Sequence, residues 1–386
     1  MSCRVALVHD WLTGMRGGEK CLDAMCDLFP DADIFTLFHR RGSVSEKIEK
    51  HRILTSYLQK IPGSCSFYRY LLPLFPGAVE NFDLSGYDLV ISSSHCAAKG
   101  VKTARNQKHI CYCHTPVRYV SDMARIYFDR GSFGKIRYLA LKPLLKRFEN
   151  WDIENSGRID YFVANSLNVK KRILQRYNMD STVIYPPVDT EKFYNNKSEE
   201  FYLVVSAFAP YKKVDLAIRA FNKLGKRLIV IGSGQDEKCL RKTASSNIEF
   251  LGWVGDNEIR EYYSRCKAFI FPGEEDFGIT PVEAQASGKP VIAYGRGGQT
   301  ETVRPFDKFK NDNPTGVFFY EQKDDALVEA VKLFEDSCGF FKPENIRSNA
   351  EKFNRGRFLS EFKDFVTDRS RKGFEKGRQI GEIKKK

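Results

Sequence analysis

The sequence predicts an α/β protein with two doubly wound, Rossmann-like domains that face each other across a cleft. Compact apolar runs, typical of buried parallel strands, alternate with helical patterns along most of the chain. The alternation restarts after Pro186 and Pro187, which indicates a hinge between two such units. The length of 386 residues, of which 42% are hydrophobic, favours about two cores over one.

The predicted strands are short apolar runs bounded by polar residues. In the first half they are Arg4–His9, Asp88–Ser92, His109–Cys113, Asp160–Ala164 and Thr182–Tyr185. In the second half they are Phe201–Ser206, Arg227–Ile231, Ile248–Leu251, Lys267–Phe271, Pro290–Tyr294 and Thr315–Phe319. Helical patterns lie between them and include Glu19–Phe29 and Leu167–Tyr177, with Ser166 as the N-cap of the latter.

The domain boundaries follow from this pattern. We expect a first domain over 1–187 and a second over 188–365, whose last helices can cross back to the first domain. The remaining residues, 366–386, form a basic tail with few apolar side chains. That composition favours a solvated, disordered tail over a dedicated binding element.

The overall composition narrows the kind of protein. A formal net charge of +13 indicates an anionic partner, which can be phosphate groups of a small ligand, a nucleic acid or an anionic membrane surface. No stretch reaches the roughly 18 apolar residues of a membrane-spanning helix. The ten cysteines lie mostly in apolar contexts, and the N-terminus begins a strand rather than a secretory signal. We therefore expect a cytoplasmic protein with reduced thiols.

The most informative segment is an acidic turn at residues 273–283, which contains Glu275 and Glu283 with seven residues between them. It follows a predicted strand, and Thr280 is predicted as the N-cap of the next helix. In open α/β sheets, ligands bind where the carboxyl end of a strand meets a helix N-terminus. The amides there suit phosphate, and nearby carboxylates suit sugar hydroxyls.

The two glutamates differ in how strongly they indicate a site. Thr280 and Glu283 have the spacing of a capping box, which would give Glu283 a purely structural role. Glu275 has no such explanation, because it stands among three adjacent acidic residues that repel one another. A cation such as Lys212, or the hydroxyls of a ligand, could offset that repulsion.

Two other strand-to-helix junctions could hold an anion. Gly17 and Gly18 follow the first strand and would let backbone amides approach a phosphate, although an ordinary tight turn explains them equally well. Lys212 and Lys213 follow the first strand of the second domain and could neutralise a diphosphate. Basic residues oppose the helix dipole at that position, which favours a bound anion over a merely exposed turn.

His114 directly follows a predicted strand and could hydrogen-bond a substrate hydroxyl, with a structural role as the alternative. Cys111 and Cys113 should share one face of that strand, and His114 should lie on the other. We therefore expect no zinc site and no metal ligands here.

The basic, aromatic segment Arg125–Glu149 suits contact with an anionic bilayer surface. The segment Phe67–Phe75 adds a second apolar and aromatic patch. Core packing of long helices is the alternative explanation for both.

Taken together, these motifs resemble the retaining glycosyltransferases of family four, which have the two-domain GT-B architecture. The most specific part is the pair Glu275 and Glu283 within GEEDFGITPVEAQASGKPVIAYGRGG. Supporting motifs follow in the expected order, namely HDW, GGEK, HTPVRY, ANS, YPPVD and SAFAPYKKVDLAI. The resemblance runs from Arg4 to about Phe365 and is greatest to the mannosyltransferase-type enzymes of bacterial O-antigen and exopolysaccharide assembly.

The resemblance implies a role for individual side chains. Glu283 would hold the ribose hydroxyls of a nucleotide-sugar donor, and Glu275 would hold the transferred sugar. Lys212, with Lys213, would neutralise the diphosphate, and His114 would lie near the reacting face of the sugar.

It also implies roles for backbone groups. The amides of Phe277, Gly278, Ile279 and Thr280 would contact the sugar and the phosphates, and Gly17 and Gly18 would approach the diphosphate. One position departs from the family pattern. Ala207 stands where an arginine is usual, five residues before Lys212, so more of the diphosphate neutralisation would fall on Lys212 and Lys213.

The implied reaction is transfer of a hexose, with mannose from GDP-mannose as the first choice, to a lipid-linked or oligosaccharide acceptor. The configuration would be retained by front-face attack, with the leaving phosphate accepting the proton. The nucleotide sugar is a substrate, and we expect no cofactor and no metal, since no Asp-x-Asp motif stands in a suitable context. The first domain would bind the acceptor, and residues 125–149 would contact the inner face of the cell membrane.

Two alternatives come from other functional classes. A non-hydrolysing nucleotide-sugar epimerase can share the two-domain architecture and would convert a donor without any acceptor. A basic nucleic-acid-binding protein could account for the charge of +13, although the sequence has no zinc-finger spacing and no RNP-like aromatic strand.

Overall fold

The computed structural model describes residues 3–117, 134–310 and 313–383. Contacts divide the chain into two compact units. One contains residues 1–187 together with 356–386, as far as these are described, and the other contains Val188–Arg355.

The first unit is built on a parallel sheet. Its strands are β1 (Val5–His9), β2 (Asp33–Thr36), β3 (Ile53–Thr55), β4 (Leu89–Ser94), β5 (Lys108–Cys113), β6 (Tyr161–Ala164) and β7 (Ser181–Val183). Its helices are α1 (Gly17–Leu28), α2 (Glu46–Glu49), α3 (Ser64–Phe67), α4 (Phe75–Glu80), α5 (Gly134–Ser156) and α6 (Leu167–Tyr177), with short 3₁₀ turns at Tyr57–Lys60, Tyr68–Leu74 and Ala98–Gly100. The strand order is β3-β2-β1-β4-β5-β6-β7.

The second unit has a parallel sheet of the same type. Its strands are β8 (Tyr202–Val205), β9 (Leu228–Ile231), β10 (Ile248–Gly252), β11 (Ala268–Phe271), β12 (Val291–Tyr294) and β13 (Gly316–Phe319). Its helices are α7 (Val214–Leu224), α8 (Glu237–Thr243), α9 (Asp256–Arg265), α10 (Ile279–Ala286), α11 (Gln299–Thr302), α12 (Asp324–Asp336) and α13 (Pro343–Glu351), with 3₁₀ turns at Thr190–Lys192, Pro210–Lys212 and Cys338–Phe340. The strand order is β10-β9-β8-β11-β12-β13.

Each sheet has a topological switch point, which is where ligands bind in folds of this kind. In the first sheet the order reverses between β1 and β4, and in the second between β8 and β11. The loops that follow these four strands carry Gly17, His95, Lys212 and Glu275. The switch points therefore place three of the predicted site residues, namely Gly17, Lys212 and Glu275.

The last helix, α14 (Arg355–Ile383), returns to the first unit. Its Phe358 and Phe362 rings meet the Tyr112 ring edge-on, with centroids 5.7 and 5.9 Å away. The second unit consequently ends at Arg355, short of the predicted boundary at residue 365. This helix runs to Ile383, through most of the segment for which the sequence analysis expects a disordered tail.

Two strands of the first sheet, β2 and β3, were not predicted. Each is short, and β3 lies at the edge of the sheet, where it pairs only with β2. The predicted cap at Ser166 is confirmed, since its side chain accepts a hydrogen bond from the backbone N–H of Val169 at 3.0 Å. Among the described residues, no helix has the length and apolar character needed to cross a membrane.

Candidate active site

The second unit brings Lys212 and Glu275 into direct contact. Lys212 Nζ lies 2.6 Å from Glu275 Oε1, and the two side chains are 21% and 19% exposed. Burial alone would lower the pKa of Lys212, but the charge of Glu275 outweighs it, and the net effect is a raised pKa. The charged amine of Lys212 is thus the cation that offsets the repulsion among the acidic side chains of this turn.

Glycines allow the two loops of this pair to approach each other closely. A Cβ atom on Gly273 would lie 3.0 Å from the carbonyl oxygen of Lys212, which is tighter than ordinary packing permits. Gly297, at φ +81°, faces the carbonyl oxygen of Glu275, where a Cβ atom would come within 2.4 Å. The backbone N–H of Gly298 donates to that same carbonyl at 2.8 Å.

A buried glutamine joins the ends of two neighbouring strands beneath this turn. The Gln299 side-chain amide donates to the carbonyl oxygens of Gly273, at 2.9 Å, and Tyr294, at 3.0 Å. Gln299 has no exposed surface. Because a buried amide with two partners holds the backbone in one arrangement, Gln299 fixes where the Glu275 turn begins.

The helix after the acidic turn begins earlier than the sequence predicted. Its N-cap is Gly278, at φ +84°, and its first residue is Ile279, so Thr280 is not the N-cap. Glycine reaches this left-handed conformation without the strain that a side chain would add. The first amides of α10, from Ile279 and Thr280, accordingly lie in the opening turn, where a helix favours anions.

This register also removes the capping-box explanation of Glu283. A capping box needs its acid at the third helical position, which is Pro281 when Gly278 is the cap. Glu283 is instead buried, and the hydroxyl of Tyr263 donates towards Glu283 Oε2 at 3.4 Å. Burial raises the pKa of Tyr263 well above its ordinary value, so this hydroxyl keeps its proton.

Lys213 adopts an unusual backbone conformation beside the ion pair. Its φ of +54° places a non-glycine residue in the left-handed region, directly before α7. Such a residue costs on the order of 1–3 kcal/mol and is found where surrounding contacts impose it. Ala207, at the position where the family has an arginine, is exposed and extends no charge towards this turn.

The first unit contains a buried polar cluster at its own switch point. Asp10, with no exposed surface, accepts hydrogen bonds from four successive backbone N–H groups, those of residues 95–98, at 2.6 to 3.0 Å. His95 Nδ1 also lies 3.1 Å from Asp10 Oδ2. Burial alone would raise the pKa of Asp10, but His95, His9 and the backbone N–H groups together lower it. Asp10 is therefore ionised and holds the His95 loop.

His114 joins the same face of the first sheet. Its Nε2 lies 2.8 Å from the hydroxyl of Ser93, and that hydroxyl lies 3.2 Å from Nδ1 of His9. Burial, with the nearby His95 and His9, lowers the pKa of His114 to about 3. His114 is thus a neutral imidazole at physiological pH, which can both accept and donate a hydrogen bond.

Gly17 and Gly18 are the first two residues of α1, so the helix begins two residues before the predicted start at Glu19. The backbone N–H of Arg16 donates to Glu19 Oε2 at 3.0 Å, which satisfies the helix start. A Cβ atom on Gly18 would lie 3.3 Å from the His9 ring and 3.6 Å from His114 Nε2. Gly18 therefore lets the helix start pack directly on the two histidines.

Cys111 and Cys113 lie in a buried apolar cluster with Phe162 and Val169, on the opposite side of β5 from Tyr112. This arrangement is the one predicted from strand alternation. Within the described part of the chain, no group of three or more His, Cys, Asp and Glu side chains has the geometry of a metal site.

The basic segment 125–149 is only partly visible, because residues 125–133 lie outside the described residues. From residue 134 it belongs to α5, where Leu145 and Phe148 are buried while Leu139 and Leu144 are 63% and 44% exposed. In the second predicted patch Tyr70 is 85% exposed. One face of α5 therefore packs on the core and leaves apolar side chains at the surface.

The sequence interpretation missed several residues that the structure adds to these sites, namely His9, Asp10, Glu19, Ser93, His95 and Gln299. A signal existed for some of them. His9 is the last residue of β1 and Asp10 follows it, while His95 directly follows β4. All three therefore lie at carboxyl ends of strands beside the switch point.

Comparison with known families agrees with this geometry. The family model "Glycosyltransferase Family 4" matches residues 16–192, and the model "Glycosyl transferases group 1" matches residues 188–353. Together the two models cover both units.

Among related proteins, O-antigen chain mannosyltransferase C of Escherichia coli is 24% identical over 87% of this chain and 89% of its own. The alpha-1,3/1,6-mannosyltransferase ALG2 of Candida glabrata is 26% identical over 67% of each chain. An uncharacterized glycosyltransferase of Methanocaldococcus jannaschii is 33% identical over 43% of this chain, and the match spans 48% of that protein, about half its length.

Solved structures show the same fold. HepE of Anabaena, in complex with UDP and glucose, superimposes with a TM-score of 0.68 at 17% identity, over 94% of this chain and 99% of its own. Sucrose-phosphate synthase of Thermosynechococcus elongatus gives a TM-score of 0.70 at 17% identity, over 95% and 98%. These comparisons favour neither an epimerase nor a nucleic-acid-binding protein. The chain belongs to the glycosyltransferases of family four and has the GT-B fold.

Proposed function

We propose that this glycosyltransferase is a retaining α-mannosyltransferase that moves mannose from GDP-mannose to a lipid-linked or oligosaccharide acceptor in surface polysaccharide synthesis. The observation that carries the proposal is the contact of 2.6 Å between Lys212 and Glu275 at the switch point of the second sheet. Mannose is supported by the names of two relatives, the mannosyltransferases of Escherichia coli and Candida glabrata.

The donor would bind at the second unit. The charges of Lys212 and Lys213, with the backbone amides of Phe277–Thr280 at the start of α10, stabilise the diphosphate as it leaves. Glu275 accepts hydrogen bonds from the sugar hydroxyls, and Glu283 accepts them from the ribose. Because Lys212 and Glu275 lie 2.6 Å apart, the group proposed for the phosphates and the group proposed for the sugar are direct neighbours.

The first unit would bind the acceptor and contribute His114, with the first-turn amides of α1 at Gly17 and Gly18 available to an anion. The acceptor hydroxyl attacks the anomeric carbon on the face from which the diphosphate leaves. The bond to the diphosphate breaks, the new α-glycosidic bond forms, and a phosphate oxygen takes the hydroxyl proton. The neutral His114 orients a sugar hydroxyl by hydrogen bonding.

The acceptor implies a location. We propose that the enzyme works in the cytoplasm at the inner face of the cell membrane, where residues 125–149 contact anionic lipid. The exposed Leu139 and Leu144 of α5 and the exposed Tyr70 support this proposal. Nucleic acid is not a proposed partner.

The donor can be identified by thermal unfolding in the presence of GDP, UDP and ADP and their sugars. A ligand at 100 times its Kd stabilises the folded state by about 2.7 kcal/mol. We expect GDP-mannose to raise the Tm most. Glu275→Ala should retain the shift caused by GDP and lose the additional shift caused by the sugar.

Product analysis then tests the reaction. We expect an α-linked mannoside, formed at the same rate after removal of divalent ions with EDTA, because the proposed diphosphate contacts are lysines and amides. A product of inverted configuration, or hydrolysis of the donor without transfer, would contradict the proposed mechanism. If only UDP-sugars stabilise the protein, the donor is a UDP-sugar and not GDP-mannose.

A further inference from the structure

Four side chains of the first unit form a continuous line that ends at His114. His114 Nε2 lies 2.8 Å from Ser93 Oγ, and Ser93 Oγ lies 3.2 Å from His9 Nδ1. His9 Nε2 in turn lies 3.7 Å from Glu19 Oε1. His9, Ser93 and Glu19 are at most 3% exposed.

The fold explains why these residues meet. β1 and β4 are parallel neighbours whose register pairs His9 with Ser93, so the two side chains project from the same face of the sheet. Helix α1 covers that face, and a Cβ atom on its Gly18 would lie 3.3 Å from the His9 ring and 3.6 Å from His114 Nε2. Glu19 is the next residue of that helix and therefore reaches His9.

The donor and acceptor properties of these side chains determine which atoms carry the protons along the line. His9 Nε2 lies 3.7 Å from a carboxylate oxygen of Glu19, which only accepts, and makes no hydrogen bond of ordinary length. A lone pair facing this charge would be repelled, so a neutral His9 carries its proton on Nε2. His9 Nδ1 is then an acceptor and takes the single hydroxyl proton of Ser93.

With its proton directed at His9, the oxygen of Ser93 can only accept from His114. His114 Nε2 must therefore carry a proton, and the lone pair of the neutral ring is left on Nδ1. For a neutral His9, the opposite arrangement would leave the lone pair of Nε2 facing the carboxylate of Glu19.

We propose that Glu19, acting through His9 and Ser93, holds His114 in the tautomer protonated on Nε2. His9, Ser93 and Glu19 are positioning residues in this view, and His114 Nδ1 is the atom that accepts a hydrogen bond from a substrate hydroxyl. The inference rests on the proposed function, which gives His114 its place in the reaction.

The charge states needed for this arrangement are consistent with the surroundings. Burial alone would raise the pKa of Glu19, but His9, the helix-start backbone and His95 lower it, so Glu19 is ionised at neutral pH. Asp10 and His95 face the same region and pair with each other at 3.1 Å. Arg16 meets Glu19 through its backbone N–H rather than displacing it from His9.

The test is the ¹⁵N spectrum of histidine side chains at pH 8, above the ordinary pKa of histidine. The chain has six histidines, so six ring systems are to be assigned. No substrate is added, which makes the outcome independent of whether the protein transfers mannose. We expect His114 to carry its proton on Nε2 in the unmodified protein.

Ser93→Ala and Glu19→Gln should each shift the His114 signals towards the other tautomer, and Ser93→Thr, which restores the hydroxyl, should restore them. Ser92→Ala is the matched control. It removes a buried hydroxyl that lies 2.8 Å from His109 Nε2, on the opposite face of the same strand. It should change the His109 signals and leave those of His114 as they were.

Kinetics supply the second readout. In Ser93→Ala and Glu19→Gln we expect kcat to fall by about 10²-fold, the lower range for a positioned acid or base, while the KM for the donor stays the same. A proton on Nδ1 of His114 in the unmodified protein would overturn the proposal. So would a His114 tautomer that stays in both variants as it is in the unmodified protein, or one that shifts equally in Ser92→Ala.

Discussion

The Lys212–Glu275 contact is better explained by ligand binding than by stability. Both side chains are only about one fifth exposed, and for such largely buried pairs the cost of desolvation can offset the attraction between the charges. Their loops nevertheless approach so closely that a Cβ atom on Gly273 would lie 3.0 Å from the carbonyl oxygen of Lys212. A contact with little energetic benefit that still constrains two loops indicates a function in holding charge for a ligand.

We predict that Lys212→Ala and Glu275→Ala each lower turnover by about 10²-fold or more, because in the proposed mechanism each removes a group that contacts the departing diphosphate or the sugar. The double variant should lose less than the product of the two single losses, since the residues interact directly. Measured kcat and KM for all three variants check this. Arg227→Ala, which breaks an exposed pair 3.1 Å long with Glu249, is the control; near-normal rates in both active-site variants would contradict the roles given.

Substitutions of Lys213 can separate the effect of backbone strain from the effect of its charge. Its left-handed φ of +54° is easy for glycine and costs other residues about 1–2 kcal/mol. We predict that Lys213→Gly raises the free energy of unfolding by about 0.5–1 kcal/mol, after the entropic cost of glycine. Lys213→Ala should bring no such gain.

Both Lys213 variants lose the same charge, so both should bind the donor nucleotide more weakly, by about tenfold or 1.4 kcal/mol. Chemical denaturation and nucleotide titration measure the two effects. A weaker affinity in Lys213→Ala together with an unchanged affinity in Lys213→Gly would show that the backbone, and not the charge, matters there.

At the scale of secondary-structure elements, the acidic turn is shaped by its neighbour. The loop after β12 carries Gly297 and Gly298, which lie against the backbone of residues 275–277. Gln299, the first residue of α11, ties that loop to the start of the turn. The position of Glu275 therefore depends on a loop some twenty residues further along the chain.

We predict that Gly298→Ala lowers kcat by about 10²-fold, because misplacement of a binding group by about 1 Å has effects of that size. A Cβ atom at this position would lie 2.3 Å from Cα of Phe277, so the turn must move. The measurement is kcat, with circular dichroism to confirm folding. Gly339→Ala is the control, since no atom lies within 4 Å of its Cβ position; equal effects in the two variants would refute the argument.

At the scale of the whole molecule, the first unit buries an unusual number of groups that titrate in acid. Burial lowers the pKa of His109 to about 4 and, together with the neighbouring histidines, that of His114 to about 3. The pKa values of Asp10 and Glu19 are also below their ordinary values, because the histidines and backbone N–H groups outweigh the effect of burial.

All four shifts act in the same direction on stability. Between the folded pKa and the ordinary histidine pKa of about 6.5, the unfolded chain binds more protons than the folded chain, so stability falls as pH falls. The two carboxylates extend this loss below their ordinary values. We predict a free energy of unfolding that declines steadily from about pH 6.5 towards pH 3.

His109→Gln tests the origin of this decline. Removing one titrating group should reduce the slope by up to about 1.4 kcal/mol per pH unit between pH 4 and 6.5. Denaturant unfolding at a series of pH values measures it. An unchanged slope would mean that His109 is already protonated in the folded protein, contrary to its burial.

The sequence by itself determined the two Rossmann-like domains, the family and the acidic turn, for which it offered Lys212 as one of two possible partners. These features depend on local patterns, namely apolar periodicity, strand-to-helix junctions and the spacing of Glu275 and Glu283. The residue at which α10 begins was less predictable, because either Gly278 or Thr280 could cap the helix by its residue type. The structure shows that Gly278, at φ +84°, is the N-cap.

Only the tertiary structure decided the rest. The line from Glu19 through His9 and Ser93 to His114 joins the first helix to three strand ends, and the return of α14 to the first unit depends on Tyr112 offering a surface to Phe358 and Phe362. Such contacts follow from strand order and register, which bring together residues far apart in the chain. No local pattern encodes that order, because it results from how complete elements pack.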